Sequence, residues 1–173
     1  GVVHSHVDAP NTPSESDINY CNVLGIPFYI YSYPSMDLHI LKPEGIDKPL
    51  SGRAYEFGLN DCFEASRDWY KDKGLDLNFR DIFESEWWLT EQDYFTPQNI
   101  KRWGFKQVNG SPQRGDFLVF AVDSLKGNHC GVYEGNDLFF HHARNRLSCR
   151  ESIYPFWATK IIGIYRHEKN HIF

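Results

Sequence analysis

Residues 55–74 read YEFGLNDCFEASRDWYKDKG, and this stretch decides the fold. Asn60 or Asp61 can cap a helix that begins at Cys62. Gly74 supplies a left-handed stop. Small and aromatic residues recur after Cys62 at three- to four-residue steps, which is typical of one helix face. The stretch therefore predicts a helix that carries a cysteine on its first turn.

Cys62 is the first candidate for a chemical role. The unpaired N–H groups and the positive end of the dipole at a helix N-terminus stabilise an anion, which lowers the pKa of a thiol. The thiolate is the nucleophilic form of cysteine. Cys62 is therefore a candidate catalytic nucleophile, and the alternative is an ordinary buried cysteine.

Histidines downstream are candidates for the catalytic base. His129 opens the run HCGVY, which predicts a buried strand, and residues 135–137 predict a hairpin turn into the next strand. Adjacent antiparallel strands bring His129 near His141 and His142. Because side chains alternate along a strand, only one of that pair can face His129, and spacing alone does not choose. The base must reach the sulfur, and a polar group must fix its other ring nitrogen.

The predicted Cys62 helix is followed along the chain by several predicted strands. A helix followed by an antiparallel sheet is typical of an α+β fold. The Pro- and Gly-rich segment 42–49 predicts a linker between domains 1–49 and 50–173. Strands are predicted at Val2–His6, Pro27–Tyr33, Asp37–Leu41, Phe105–Val108, Phe117–Val122 and Ile161–Arg166, and helices at Ser14–Leu24 and from Thr96 to Trp103.

These motifs resemble the NlpC/P60 family of papain-like cysteine peptidases. The family pattern is a Tyr-x-x-Gly segment, an Asp-Cys pair at a helix start, a His at the head of a strand and a third polar residue on the next strand. The matching residues are Tyr55 with Gly58, Asp61 with Cys62, His129 and His141. The resemblance implies that the Cys62 helix packs on an antiparallel sheet, that Cys62 attacks an amide, and that His129 is the base. The twelve-residue step favours His141 over His142 as the orienting residue.

The same resemblance implies two supporting residues and no cofactor at the peptidase site. The Tyr55 hydroxyl can donate to a developing oxyanion beside the backbone N–H of Cys62, and Asp61 lies in the same oxyanion and substrate region. The alternative for Tyr55 is an ordinary packed aromatic residue. Trp87 and Trp88 can line a groove for a peptide or glycan, although a tryptophan pair more often forms local core.

At the N-terminus, His4 and His6 followed by Ser14 and Asp17 resemble the zinc motif of the JAB/JAMM metallopeptidases. The resemblance implies that the sequence begins inside a partial JAB/JAMM-like α/β segment. His4, His6 and Asp17 are adequate ligands for zinc with an open fourth position. The glutamate that the pattern places upstream has no counterpart in these residues, and Val7 stands where the family usually has proline. The alternative is a set of surface residues near a chain end.

Within the NlpC/P60 family the chain resembles the tail tip assembly proteins of long-tailed phages. That resemblance implies a peptidoglycan stem peptide as substrate, other tail tip proteins as partners, synthesis in the host cytoplasm, a place in the virion tail tip and action at the host cell wall. The rival hypotheses are a non-catalytic tail assembly component and, less well supported, a zinc isopeptidase. The residues that carry the resemblance are His4–His6, Arg67–Tyr70, Trp87–Trp88, Asn128–His129, His141–His142 and Arg146–Ser148.

Composition limits the remaining classes of function. The chain has 173 residues, a net charge of −5 and scattered Lys and Arg, so it carries no basic stripe for a nucleic-acid partner. No apolar run approaches the roughly 20 residues of a membrane span. The four cysteines are too scattered for a disulfide framework, which favours a reducing compartment. Strand alternation places Cys130 on the face opposite His129, as core packing.

Overall fold

Two compact units, residues 1–48 and 49–173, make up the computed structural model of the chain. The sequence predicted a domain boundary after residue 49, within a linker at residues 42–49. Residues 42 and 44–48 of that predicted linker lie outside the described residues. No helix among the described residues is long and apolar enough to cross a membrane. The structure describes residues 1–41, 43, 49–58, 60–77 and 86–173.

The N-terminal unit is a helix against a small sheet. Its elements are β1 (Val2–Val7), α1 (Glu15–Leu24), β2 (Phe28–Tyr33) and β3 (Leu38–Leu41). β1 pairs in parallel with β2, which pairs antiparallel with β3. A small apolar cluster of Cys21, Phe28 and Ile30 forms its core. All four predicted elements are confirmed within one residue at each end.

The described residues of the C-terminal unit form two helices and a six-stranded antiparallel sheet in the order β4-β9-β5-β6-β7-β8. This arrangement confirms the predicted α+β class. The elements are α2 (Cys62–Asp72), α3 (Pro97–Arg102), β4 (Phe105–Gln107), β5 (Phe117–Phe120), β6 (His129–Gly135), β7 (Leu138–His141), β8 (Cys149–Ser152) and β9 (Ile161–His167), with short 3-10 turns at Trp87–Leu89, Trp157–Lys160 and Asn170–Ile172.

Local sequence explains how α2 starts and stops. The Asp61 side chain accepts hydrogen bonds from the backbone N–H groups of Phe63 (2.9 Å) and Glu64 (3.0 Å), so it is the N-cap. Gly74 follows the last turn at φ 85°, which confirms the predicted left-handed stop. Trp69 is completely buried in the core that α2 shares with the sheet. The helix that carries Cys62 is therefore fixed at both ends and along its inner face.

The sheet of the C-terminal unit has apolar clusters on both faces. Val119, Cys130, Val132 and Phe140 belong to the cluster that includes α2. Alternate residues of the same strands form a second cluster with Trp157. Cys130 is completely buried, which confirms its predicted place in the core.

The sequence missed the edge strand β8. Its predicted C-terminal ends lie one or two residues too far for β4, β5 and β7, and one residue short for β1, β6 and β9. Cys149–Ser152 reads CRES and contains no β-branched or aromatic residue, so it carries no local strand signal. Pairing with β7 makes it a strand, with His141 opposite Cys149 and Phe139 opposite Glu151.

Candidate active site

A cavity of about 270 Å³ in the C-terminal unit is lined by four of the five residues predicted for the peptidase site, all except His141. Cys62 reaches it from the first turn of α2, and His129 from the first residue of β6. Tyr55 and Asp61 also line this cavity. Tryptophans 87, 88 and 157 supply much of the remaining wall, so Trp87 is both buried core and cavity lining.

A linear chain of hydrogen bonds runs from β8 to the head of β6. His129 Nε2 lies 2.9 Å from His141 Nδ1, and His141 Nε2 lies 3.0 Å from a carboxylate oxygen of Glu151. His142 points the other way and bonds the carbonyl of Arg146. The fold therefore brings His141, and not His142, to His129, and it adds a carboxylate that the sequence did not indicate.

Gly131 makes the approach of the two histidines possible. It lies opposite His141 in the β6–β7 register. A Cβ at position 131 would lie 2.7 Å from the Phe140 carbonyl oxygen and 3.0 Å from the His141 Cβ. Backbone cannot move aside as a flexible side chain can, so only glycine fits without displacing β7.

Aromatic rings surround the histidine pair. The His129 ring stacks on Trp157 at 5.0 Å, and the His141 ring stacks on Phe139 at 4.3 Å. Burial, with a smaller contribution from the neighbouring histidines, lowers the pKa of His129 well below its usual value. Burial also lowers the pKa of His141 to about 4, although the Glu151 hydrogen bond opposes the shift. Both rings are therefore neutral near pH 7.

Tyr55 and Asp61 differ in what they can offer a substrate. Burial, followed by the nearby Cys62 and Asp61 side chains, raises the pKa of Tyr55, so its hydroxyl keeps its proton and can donate. Both Asp61 oxygens accept backbone N–H groups, one of them from Gly58 at 2.7 Å. The carboxylate of Asp61 is thus occupied by the helix start, and its contact with substrate stays a prediction.

Comparison with known proteins gives this unit a family. The model of the NlpC/P60 family matches residues 52–166, which include every element of the histidine chain and α2. The chain belongs to the NlpC/P60 family. The predicted papain-like arrangement, a cysteine-bearing helix on an antiparallel sheet, is confirmed for this NlpC/P60 unit.

Two relatives of this NlpC/P60 protein come from bacteriophages, and one solved structure from a bacterium shows a weaker similarity. Tail tip assembly protein K of Escherichia phage N15 is 31% identical over 168 residues, covering 96% of this chain and 69% of that protein. The protein of the same name from Escherichia phage lambda is 28% identical over 168 residues, covering 96% and 80%. A solved Staphylococcus aureus Mu50 structure, described as similar to lipoprotein, NLP/P60 family, gives a TM-score of 0.48 at 18% identity over 68% of this chain and 37% of that one.

Two residues of the candidate site were not predicted from the sequence. Glu151 lies on the unpredicted strand β8, and Trp157 lies on a 3-10 turn. The only local signal is for Glu151: it follows Cys149 by two residues, which places both side chains on one face once a strand is assumed. A single short alternation of this kind is too common in sequences to have identified the site.

The second predicted cluster lies in the N-terminal unit, outside the family match. His4 Nε2 lies 3.1 Å and His6 Nε2 3.2 Å from the two carboxylate oxygens of Asp17, so the structure brings the three predicted ligands together. Ser14 caps α1 and bonds Asp17 in a capping box. Burial alone would raise the pKa of Asp17, but the Ser14 hydrogen bonds and the two histidines outweigh it and lower that pKa. Two imidazoles and a carboxylate at these separations fit a zinc ion.

Proposed function

We propose that the C-terminal unit is a cysteine peptidase that hydrolyses amide bonds. The observation that carries this proposal is the hydrogen-bonded chain Glu151–His141–His129, which ends in the cavity that Cys62 lines. A nucleophile, a base and groups that orient the base are the parts that covalent catalysis requires. The family match supports the same assignment, because it covers all of these residues.

The carboxylate at the end of the chain determines which nitrogen of each ring carries the proton. An ionised Glu151 can only accept, so the His141 Nε2 carries a proton and its Nδ1 accepts. His129 must then donate from Nε2, which leaves a lone pair on its Nδ1. Among the described residues no hydrogen bond engages that Nδ1. It is the atom available to take the proton of the Cys62 thiol.

The proposed reaction uses these groups in sequence. Cys62 attacks the carbonyl carbon after its proton passes to His129, and the oxyanion is stabilised by the backbone N–H of Cys62 and the protonated hydroxyl of Tyr55. His129 returns the proton to the leaving amine. Water, activated by the same ring, hydrolyses the thioester and regenerates the thiol. His141 and Glu151 keep the ring oriented throughout.

We propose bacterial cell-wall stem peptides as the substrate and the phage tail tip as the place of action. Both phage relatives are named tail tip assembly proteins, and other tail tip proteins are therefore the proposed partners. A peptidase at that position would open the host cell wall after synthesis of the tail in the host cytoplasm. Arg144 at the cavity pairs with Glu86 at 3.0 Å, and because both side chains are exposed, a peptide carboxylate can replace Glu86 as its partner.

The relatives' names also favour a second candidate, a tail assembly component in which the peptidase fold is a scaffold. Thiol reactivity separates the two. An activated Cys62 should react with iodoacetamide well below about pH 8, where a structural cysteine does not. Cys21 and Cys130 are completely buried and serve as internal controls for peptide mapping by mass spectrometry.

The deciding experiment is release of muropeptides from purified peptidoglycan sacculi, with the products identified by mass. The unmodified chain and a Cys21→Ala control should both release fragments, and Cys62→Ala should release none. If neither protein cuts sacculi and Cys62 resists alkylation, the scaffold function is the correct one. The mass of the new termini identifies the bond.

For the N-terminal unit we propose a JAB/JAMM-like segment that binds zinc through His4, His6 and Asp17. When bound, the ion would join β1 to α1 and could polarise a water in its open position. Metal content per chain after dialysis against a zinc buffer tests the proposal. His4→Ala should lose one equivalent, whereas His39→Ala on β3 should lose none; equal content in both variants would show that the cluster binds no zinc.

A further inference from the structure

Three metal-binding side chains of different types meet on the far side of His141. Its Nε2 lies 3.0 Å from a carboxylate oxygen of Glu151 and 3.7 Å from the Cys149 sulfur. One donor atom of each residue lies within 4.8 Å of the other two. This cluster is separate from the N-terminal histidine cluster, and Cys149 takes no part in the proposed mechanism.

Strand pairing fixes the cluster. His141 lies directly opposite Cys149 in the β7–β8 register, and Glu151 follows two residues along, on the same face. Donors on paired strands keep their separation better than donors on a loop. Tetrahedral zinc with bonds of about 2.0–2.3 Å places its ligand atoms roughly 3.3–3.7 Å apart, close to the 3.0 and 3.7 Å that separate His141 Nε2 from Glu151 and Cys149.

We propose that His141, Cys149 and Glu151 form a site for zinc or another thiophilic divalent ion. Imidazole, thiolate and carboxylate are all zinc ligands, and three of them leave one position for water. The Nδ1 of His141 is bonded to His129, as the second nitrogen of a metal-bound histidine usually is bonded to a neighbour. Arg146 is paired with Glu151 at 3.1 Å, but its side chain is 52% exposed and can turn into solvent.

Metal at this site would switch off the base of the proposed peptidase; this consequence, unlike the binding itself, rests on the proposed function. The ion takes the lone pair of the His141 Nε2, so the neutral ring carries its proton on Nδ1. That Nδ1 then donates to His129 Nε2, so the proton of the neutral His129 ring must lie on its Nδ1. Both rings stay neutral, the Cys149 thiol releases one proton, and His129 can no longer accept from Cys62.

Cobalt(II) titration of the full chain carrying Cys62→Ala tests the binding. Thiolate coordination gives a charge-transfer absorption that imidazole and carboxylate ligands do not, so the N-terminal cluster is silent in this measurement. The band should saturate at one equivalent, disappear in Cys149→Ser and persist in the matched control Cys21→Ser. Absence of the band, or a band of equal strength in Cys149→Ser, would overturn the site.

Zinc inhibition of the chain with Cys62 intact tests the consequence. Each protein is compared with its own metal-free rate, and half-inhibition of Cys149→Ser should need roughly ten- to a hundredfold more zinc than half-inhibition of the unmodified chain. Equal inhibition of both proteins would place the inhibitory ion elsewhere, for example on Cys62, and would overturn the switch. If no hydrolysis occurs at all, the proposed function fails while the cobalt titration still decides whether the metal site exists.

Discussion

The two units use the same three groups, two imidazoles and one carboxylate, in different arrangements. In the C-terminal unit the groups are linear, because Glu151 bonds His141 and His141 bonds His129. In the N-terminal unit they converge, because both histidines contact the two oxygens of Asp17. In the linear set, the bond at one end determines which nitrogen of each ring carries the proton. In the convergent set, all three groups point at one position, where an ion could lie.

Burial separates the two clusters as clearly as geometry does. His141 is completely buried under Trp157 and Phe139, but the His4 side chain is 30% exposed. A buried neutral ring suits proton transfer, and the proposed metal site at His141 is reached only through its partly exposed partners Cys149 and Glu151, whereas His4 and His6 are themselves partly exposed. Two imidazoles and one carboxylate therefore have different surroundings in the two units.

The largest expected effect comes from breaking the linear cluster at its reactive end. His129→Ala should lower kcat/KM for muropeptide release by about 10²–10⁴-fold, because general acid–base catalysis is lost. The matched control is His39→Ala on β3 in the other unit, which should remain fully active. Activity of His129→Ala within tenfold of the unmodified chain would show that another group is the base.

A smaller loss should follow when the far end of the chain is removed. Glu151→Leu deletes the acceptor for His141 and should lower kcat roughly 10–100-fold with little change in KM. Glu151→Gln keeps an acceptor oxygen and should recover most of that loss. Arg146→Gln, which removes only a partner of Glu151, is the control. An equal defect in the Gln and Leu variants would contradict the positioning function of the carboxylate.

The pH dependence of the free energy of unfolding tests the burial of His141. Since burial lowers the pKa of His141 to about 4 in the folded state, the unfolded chain binds protons first as the pH falls. The free energy of unfolding should therefore be highest above about pH 6.5 and decrease as the pH falls through the window down to about pH 4. Denaturant titrations in EDTA measure this slope, and His141→Gln should flatten it. An unchanged slope in that variant would assign the effect to other groups.

The smallest expected effect comes from removing Ser14, which holds Asp17 of the convergent cluster in place. Ser14→Ala removes the cap of α1 and one hydrogen bond to Asp17, and should lower the local stability of the metal-free N-terminal unit by about 1 kcal/mol. Hydrogen exchange of the α1 amides measures the change. Thr96→Ala removes the comparable cap of α3 and should leave α1 unaffected. Faster α1 exchange in both variants would mean that the change is not local.

Local sequence was enough for the parts of the fold that depend on near neighbours. A capping residue, a three- to four-residue step and a glycine stop depend on contacts within one helix, so α2 and the place of Cys62 could be predicted. The turn after β6 has positive φ at Asn136 and Asp137, residue types that tolerate this conformation, so the hairpin could be predicted too.

Tertiary structure alone decided what lies behind His129. Strand β8 exists because it pairs with β7, and Glu151 reaches His141 only through that pairing. Likewise Trp157 covers the histidines from a turn far along the chain. The sequence by itself determined the nucleophile helix and the hairpin that presents His129, because short-range geometry specifies both. The carboxylate, the aromatic cover and the lowered pKa values arise from long-range packing, which no local periodicity encodes.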